Sequence, residues 1–145
     1  MSNLSDETRR IVVGVDGSEP SLAALEWAAR QAELTGSGIE AVTSWHWPNS
    51  FGGPLPLIPD YNPEAEATKV VDSAVGKLRE KHTKLPVQTL VAQGGAAQVL
   101  VEASKGAELL VVGSRGFGEL AGMLLGSVSE YCVAHAHCPV LVLRR

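Results

Sequence analysis

The chain has 145 residues, 45% apolar and 19% charged, which suits one globular domain with a sizeable core. Its formal net charge is −4 and no basic run exceeds two residues, which argues against a nucleic-acid-binding surface. No apolar stretch approaches the ~20 residues of a membrane helix, and the polar start lacks the apolar core of a signal peptide. We therefore expect a short disordered lead at 1–9, one domain at 10–145 and a cytoplasmic location.

Strand and helix signals alternate along the chain. Short runs rich in β-branched residues predict buried strands at 11–15, 39–45, 87–92, 109–112 and 140–143. Helical spacing and end signals predict helices at 19–35, 63–82, 96–105 and 128–135. For the first helix, Ser18 is the expected N-cap, Pro20 suits the first turn and Gly36 ends it, with Leu22 and Leu25 on its apolar face.

This alternation predicts an α/β fold with a parallel sheet, right-handed crossovers and helices on both faces. Such sheets bind ligands beyond the carboxyl ends of their strands, where the strand order reverses. Asp16 follows the first strand and Gly113 follows the fourth, so both lie at that end of the sheet. The Pro-rich segment 46–62 is the one long irregular piece, and we expect it to be a mobile or functional loop.

A glycine-rich loop follows the fourth strand, with the spacing G-x2-G-x9-G-S at Gly113, Gly116, Gly126 and Ser127. Glycines let backbone N–H groups approach an anion closely, and a helix N-terminus adds free N–H groups and the positive end of a dipole. The spacing matches neither a P-loop nor the G-x-G-x-x-G dinucleotide fingerprint. The pattern therefore indicates a phosphate site of another type.

In this interpretation the N–H groups of Gly126, Ser127 and Val128 face phosphate, and Ser127 and Ser129 add hydroxyl donors. The alternative is a capping box at 127–130, in which Ser127 and Glu130 satisfy the helix end without any ligand. The spacing alone leaves both open.

Arg115 is the one cation between the first two glycines of the loop. It either contacts phosphate, which we favour, or is a solvated turn residue.

The loop spacing resembles that of the universal stress protein family, in its ATP-binding branch with the motif G-x2-G-x9-G-[S/T]. The segments 11–18 and 138–143 also resemble the family, so the likeness runs from about residue 10 to residue 145. The resemblance implies a Rossmann-like three-layer sandwich with a five-stranded parallel sheet of order 3-2-1-4-5. That order places the first and fourth strands side by side and brings their two motifs into one crevice.

The resemblance also implies roles at the nucleoside end. Asp16 would bind a ribose hydroxyl, although it could equally be a turn or cap residue before Gly17 and Ser18. Gly14 and Val15 would lie under the nucleotide, and the backbone of Ser44 would meet the adenine. The full expected binding set is Gly14, Val15, Asp16, Ser44, Val112, Gly113, Arg115, Gly116, Gly126, Ser127, Val128 and Ser129.

No set of base, nucleophile or metal ligands for catalysis is visible in the sequence. The resemblance therefore implies an ATP-binding stress-response or regulatory module, with Mg²⁺ as the expected companion of ATP and slow hydrolysis at most. It also implies a homodimer through the edge strand at 140–143, with an unidentified protein partner. Two alternatives stay open: a slow ATPase acting as a timer, and a nucleotide-free dimeric scaffold whose glycine loop is structural.

Two further clusters draw attention. Cys132, His135, His137 and Cys138 have the composition of a metal site, but a helix end explains them better and the thiols are expected to be free. His82 lies at a Lys-rich helix end and is expected at the surface.

The aromatic side chains Trp45, Trp47 and Phe51, with His46 among them, gather after the second strand. They would form either a lid over the base or the packing of an unsupported loop; we favour packing.

Overall fold

The computed structural model describes residues 9–47, 49–50, 53–54, 61–115 and 125–144. The strands and helices are β1 Arg10–Gly14, α1 Glu19–Thr35, β2 Gly38–Trp45, β3 Asn49–Ser50, β4 Gly53–Pro54, α2 Pro63–Lys81, β5 Val87–Gln93, α3 Ala96–Ala103, β6 Leu109–Gly113, α4 Ser127–His135 and β7 Val140–Leu143. The predicted elements are present, with ends shifted by a residue or two. The expected disordered lead lies, apart from residue 9, outside the described residues.

Five parallel strands form the main sheet in the order β5-β2-β1-β6-β7. Counted along the chain, this is the predicted order 3-2-1-4-5, and it is confirmed. The middle residues of β1 and β6 are apolar because both faces of the sheet are covered: Val12 and Val13 in β1 are fully buried, as are Leu110 and Val111 in β6.

Helices cover the two faces and create two apolar cores. One core lies beneath α1 and α2, and the other beneath α3 and α4. Small residues let α1 lie close to the sheet: Ala24, Ala28 and Ala29 are fully buried. Leu22, expected on this face, is 38% exposed, so the apolar face of α1 is centred on Leu25 and the alanines.

The ends of α1 follow the predicted signals. Ser18 is the N-cap of α1, and its side chain accepts a hydrogen bond from the N–H of Ser21 at 3.3 Å. Gly36 ends α1 with a φ of 75°, a left-handed conformation that favours glycine. Asn62 caps α2, accepting from the N–H of Ala65 at 3.1 Å.

The segment 46–62 differs from the irregular loop that we predicted, because it holds the two-stranded antiparallel ladder of β3 and β4. Residues 48, 51–52 and 55–60 lie outside the described part, so the expectation of a mobile loop stays a prediction. None of the described helices is long and apolar enough to cross a membrane.

The end of β6 contacts the first turn of α1 very closely. A Cβ atom added at Gly113 would lie 3.0 Å from the Cβ of Pro20 and 3.1 Å from its backbone C and O atoms. This close packing explains a glycine at this position without any ligand.

His82 is buried, with 8% of its surface exposed, and the prediction that it lies at the surface is wrong. Its Nε2 atom lies 3.0 Å from Glu26 Oε2, and its Nδ1 atom lies 3.0 Å from Glu33 Oε2. Both carboxylates come from α1, so the histidine joins the end of α2 to that helix. The sequence around His82 is rich in lysine and suggested a surface position, and it gives no sign of the two partners because they are on another helix.

The ion pairs of His82 predict a pH-dependent stability. Hydrogen bonds that His82 donates to Glu33 and then to Glu26 raise the pKa of the imidazole above 6.5, against the opposing effect of burial. The folded-state pKa exceeds the unfolded value. The stabilisation is therefore complete below pH 6.5 and is lost as the pH rises through the folded-state pKa. We expect His82→Ala to lower the free energy of unfolding by about 1–2 kcal/mol at low pH. The effect is modest because Glu26 and Glu33 are both partly exposed, so solvent screens the ion pairs.

Urea unfolding of the wild type and of His82→Gln from about pH 6 to pH 8.5 checks this. Glutamine keeps a hydrogen-bonding group but cannot carry the charge, so the difference in unfolding free energy between the two proteins should shrink as the pH rises. A difference that stays constant across this range would contradict the assignment.

The Gly113–Pro20 contact predicts that Gly113→Ala destabilises the fold by about 1–3 kcal/mol, because the added methyl group meets backbone atoms that cannot move aside. Gly76→Ala is the matched control. Gly76 lies in α2 with open space around its Cβ position, so alanine there should stabilise by roughly 0.5–1 kcal/mol. Equal unfolding midpoints for Gly113→Ala and the wild type would rule out the packing argument.

Candidate functional site

A cavity of about 330 Å³ lies at the carboxyl ends of β1, β2 and β6, next to the first turns of α3 and α4. It occupies the position where chain connections from the adjacent strands β1 and β6 diverge. Open α/β sheets place ligands at such a crevice. Its volume falls within the range of ~300–1,000 Å³ that is typical of small-molecule sites.

The cavity brings together every predicted binding residue except Gly116, which lies outside the described residues. The lining includes Gly14, Val15, Asp16, Ser44, Val112, Gly113, Arg115, Gly126, Ser127, Val128 and Ser129. These residues come from three strand ends and one helix start, and the strand order makes them neighbours.

The sequence interpretation missed part of the lining, namely Ser21, Val42, Thr43, Ala96, Val99, Leu100 and Ser114. Thr43 and Ser114 adjoin predicted residues and could have been found by extending each motif by one position. The residues of α3 required the three-dimensional position of a helix that carries no motif.

Helix α4 starts one residue earlier than the capping-box alternative requires. Its N-cap is Gly126, no side chain caps it, and the first helical hydrogen bond runs from Glu130 N–H to Gly126 O at 3.0 Å. Ser127 is therefore the first helical residue rather than the N-cap, and the capping box with Glu130 that the sequence left open as the alternative does not form. Within the described ranges, the N–H groups of Ser127, Val128 and Ser129 have no acceptor.

Two predicted phosphate donors are already used inside the protein. The N–H of Gly126 donates to Ser114 O at 2.6 Å. The hydroxyl of the buried Ser129 donates to the carbonyls of Ser114 and Gly126, at 3.0 Å each. The donors left at the start of α4 are three successive backbone N–H groups, from Ser127 to Ser129, and the exposed Ser127 hydroxyl.

Asp16 has the turn role that the sequence offered as one alternative, and it also lines the cavity. Its Oδ1 atom accepts from the N–H of Ser18 at 2.9 Å and from the Ser18 hydroxyl at 2.5 Å, so the turn role is present. The side chain is also exposed and lines the cavity. Among the described residues, Oδ2 has no hydrogen-bond partner.

The lining is mostly apolar between these polar ends, with Val42, Val99, Leu100 and Val112 contributing side chains. A Cβ atom at Gly14 would lie 2.9 Å from Leu100 Cδ1, so this glycine leaves room for the leucine. An apolar surface with a few polar groups at its ends suits a flat ring carrying polar substituents.

The two cysteines are free. Burial raises the pKa of the Cys132 thiol to about 11 and also raises the pKa of Cys138, so both thiols are protonated at neutral pH. In the part of the chain that is described, no three His, Cys, Asp or Glu side chains form a metal-binding group.

The aromatic side chains pack on one another in edge-to-face pairs. The ring centroids of Trp45 and Trp47 are 6.0 Å apart, and those of Trp47 and Tyr61 are 6.4 Å apart. These residues are not among those that line the cavity, which favours the packing alternative. Phe51 lies outside the described residues.

Proteins similar in sequence to this chain include several universal stress proteins. A universal stress protein of Mycolicibacterium smegmatis is 38% identical over 142 residues, covering 92% of this chain and 47% of the relative. One from Mycobacterium tuberculosis is 32% identical over 146 residues, covering 99% of this chain and 52% of the relative. The chain thus spans about half the length of these curated relatives.

Solved structures share the fold. UspA from Lactobacillus plantarum has a TM-score of 0.77 at 20% identity, covering 94% of this chain and 98% of that one. An Arabidopsis thaliana protein with AMP bound has a TM-score of 0.67 at 21% identity, covering 94% and 92%. An Archaeoglobus fulgidus protein in complex with dAMP has a TM-score of 0.64 at 24% identity, covering 92% and 96%.

The family comparison matches residues 7–144 to the universal stress protein family, in agreement with the sequence relatives and the shared fold. The chain belongs to the universal stress protein family.

Proposed function

We propose that the chain binds an adenine nucleotide in the cavity, with ATP and Mg²⁺ as the physiological ligand, and that the nucleotide regulates a stress-response role. The observation that carries this proposal is the set of three N–H groups at the start of α4 that have no acceptor among the described residues and belong to residues lining the same cavity as Asp16. The AMP and dAMP complexes of two structural relatives support the choice of an adenine nucleotide.

At the phosphate end, the N–H groups of Ser127, Val128 and Ser129 are the donors. They act together with the positive end of the α4 dipole, which favours an anion at this point. Arg115 lines the same cavity and supplies the positive side chain that a polyphosphate needs. The expectation that the N–H of Gly126 also donates is not retained, because Ser114 O accepts it.

At the nucleoside end, Asp16 binds the sugar, and Thr43 and Ser44, near the end of β2, border the base. Val42 and Leu100 provide the apolar surface beneath the ring. Mg²⁺ fits this site as a companion of the phosphates. Asp16 is the one acid in the described lining, and Mg²⁺ commonly keeps several waters and binds through substrate phosphates.

Hydrolysis is expected to be slow at most. The serine hydroxyls of the described lining have no adjacent general base, and Asp16 Oδ1 is held by Ser18. The geometry supports binding and release rather than a dedicated ATPase.

A nucleotide-free dimeric scaffold is the second candidate function. It is favoured by the packing of Gly113 on Pro20 and by the hydrogen bonds that engage Gly126 and Ser129, since both explain motif residues without a ligand. A binding measurement separates the two candidates.

Ser127→Glu is predicted to weaken nucleotide binding strongly while keeping the fold. The exposed side chain lies in the first turn of α4, where an acid is favourable for the helix but repels phosphate. Calorimetric titration with ATP and Mg²⁺ should show micromolar binding by the wild type, about −8 kcal/mol. Ser127→Glu should weaken it by at least tenfold more than Ser127→Ala, which removes only a hydroxyl worth about 1 kcal/mol.

The melting temperature of nucleotide-free Ser127→Glu should equal or exceed that of the wild type, which separates lost binding from lost folding. Failure of the wild type to bind any adenine nucleotide would favour the scaffold. Equal affinity of the wild type and Ser127→Glu would move the phosphates away from α4.

The same proposal includes a homodimer through β7. This edge strand pairs with β6 on one side, and all four of its side chains are partly exposed. Val140 and Val142 pack towards one core, Leu141 and Leu143 towards the other. An apolar edge of this kind is a template for pairing with a second copy.

The hydrogen bonds of β7 show which groups remain for a partner. Pro139 O accepts from the N–H of Leu110, and Leu143 O accepts from the N–H of Ser114, so the odd-numbered residues face β6. The backbone groups of residues 140 and 142 point to the free edge.

Val142→Pro is therefore predicted to give monomers without breaking the ladder between β6 and β7, because it removes an outward N–H and places a ring on the edge. Val142→Ala keeps that N–H and should stay dimeric. Light scattering after size-exclusion chromatography checks both variants, and a dimer that persists in Val142→Pro would remove β7 from the interface.

A further inference from the structure

The geometry points to Ser18 as a positioning residue for sugar recognition: its hydroxyl fixes the Asp16 carboxylate so that Oδ2 accepts a ribose hydroxyl, and it caps α1 at the same time. This inference rests on the proposed nucleotide site and concerns a residue that does not line the cavity.

Two donors from one residue hold the same carboxylate oxygen. The N–H of Ser18 is 2.9 Å from Asp16 Oδ1, and the Ser18 hydroxyl is 2.5 Å from it. Ser18 is itself buried, with 3% of its surface exposed, so water cannot easily replace it. One edge of the carboxylate is thereby fixed, and the rotation of the group is set by a side chain outside the cavity.

A second set of bonds ties Ser18 to the helix. Its hydroxyl accepts from the N–H of Ser21 at 3.3 Å, and its carbonyl accepts from the Ser21 hydroxyl at 3.0 Å. The Ser21 hydroxyl in turn accepts from the N–H of Asp16 at 3.2 Å. Backbone and side-chain bonds therefore close a ring over residues 16–21, and the carboxylate cannot turn without disturbing the helix cap.

Gly17 makes this ring geometrically accessible. Its φ of 85° lies in the left-handed region, which lets the chain fold back so that Ser18 reaches Asp16. The glycine thus serves the turn rather than a ligand.

The arrangement selects the kind of ligand group that Asp16 accepts. Oδ1 already has two donors, whereas Oδ2 has none among the described residues and can only accept a hydrogen bond while the group is ionised. A hydroxyl of the ribose is the donor that a nucleotide offers at this position. Asp16 and Ser18 should therefore distinguish ribonucleotides from analogues that lack the contacted hydroxyl.

The test compares ATP, 2′-deoxy-ATP and 3′-deoxy-ATP, each with Mg²⁺, by calorimetric titration. For the wild type we expect one deoxy analogue to bind about tenfold to a hundredfold more weakly than ATP, the range for a hydrogen bond to a charged group. Ser18→Ala should reduce this ratio to below about threefold, because the carboxylate can turn away, while that analogue keeps most of its affinity. Asp16→Ala should give the same ratio as Ser18→Ala.

Two variants separate positioning from helix capping. Ser18→Thr keeps a hydroxyl cap and should restore the preference for ATP. Ser18→Gly keeps the cap position and the N–H donor with little loss of stability, so it measures the hydroxyl alone if Ser18→Ala folds poorly. Ser73→Ala, an exposed serine on α2, is the control for removal of a hydroxyl elsewhere and should bind all three nucleotides like the wild type.

Each outcome is decisive. A merely structural role of Ser18 would lower the affinity for all three nucleotides by the same factor and leave their ratio unchanged, which overturns the inference. Equal affinity of the wild type for ATP and both deoxy analogues also overturns it. No binding of any nucleotide by the wild type would instead overturn the proposed function, and this inference with it.

Discussion

The packing of the end of β6 against the first turn of α1 is the constraint on which the cavity depends. Gly113 packs so closely against Pro20 that a Cβ atom at position 113 would crowd the backbone of Pro20. This contact holds the start of α1 beside β6, and the turn that ends in Ser18 lies directly before it. The two halves of the cavity, one from β1 and one from β6, are thereby kept at a fixed separation.

Much of the fold could be predicted because each element carries its own signal. Apolar β-branched runs gave the central strands, and Ser18 and Gly36 gave the ends of α1. The family resemblance supplied the strand order, which local patterns do not contain. The prediction for His82 was wrong because its partners, Glu26 and Glu33, are distant in sequence. The capping-box alternative failed because the helix start is shifted by one residue, so that Gly126 rather than Ser127 is the N-cap.

In the candidate site too, some residues could be predicted from the sequence and others could be found only from the fold. Its glycines, Asp16 and Ser127 were recognisable as a motif, whereas Ala96 and Leu100 line the cavity only because α3 packs beside α4 on β1 and β2. Hydrogen-bond partners were the least predictable part. The sequence shows that Gly126 and Ser129 could donate, and only the fold shows that carbonyl groups already accept those bonds.

The N–H groups at the start of α4, which have no acceptor within the described part of the chain, belong to the main chain, and this has a consequence for how the sequence can vary. Almost any residue contributes the same N–H group, so the side chain at 128 can vary widely without changing the donor geometry, whereas Ser127 also offers its exposed hydroxyl. Proline, which has no N–H, and acidic residues are the exceptions. In the proposed nucleotide site, the phosphate end should therefore be recognised among homologues by the residues excluded from the start of α4, whereas the sugar end, built from side chains, should be recognised by the residues retained.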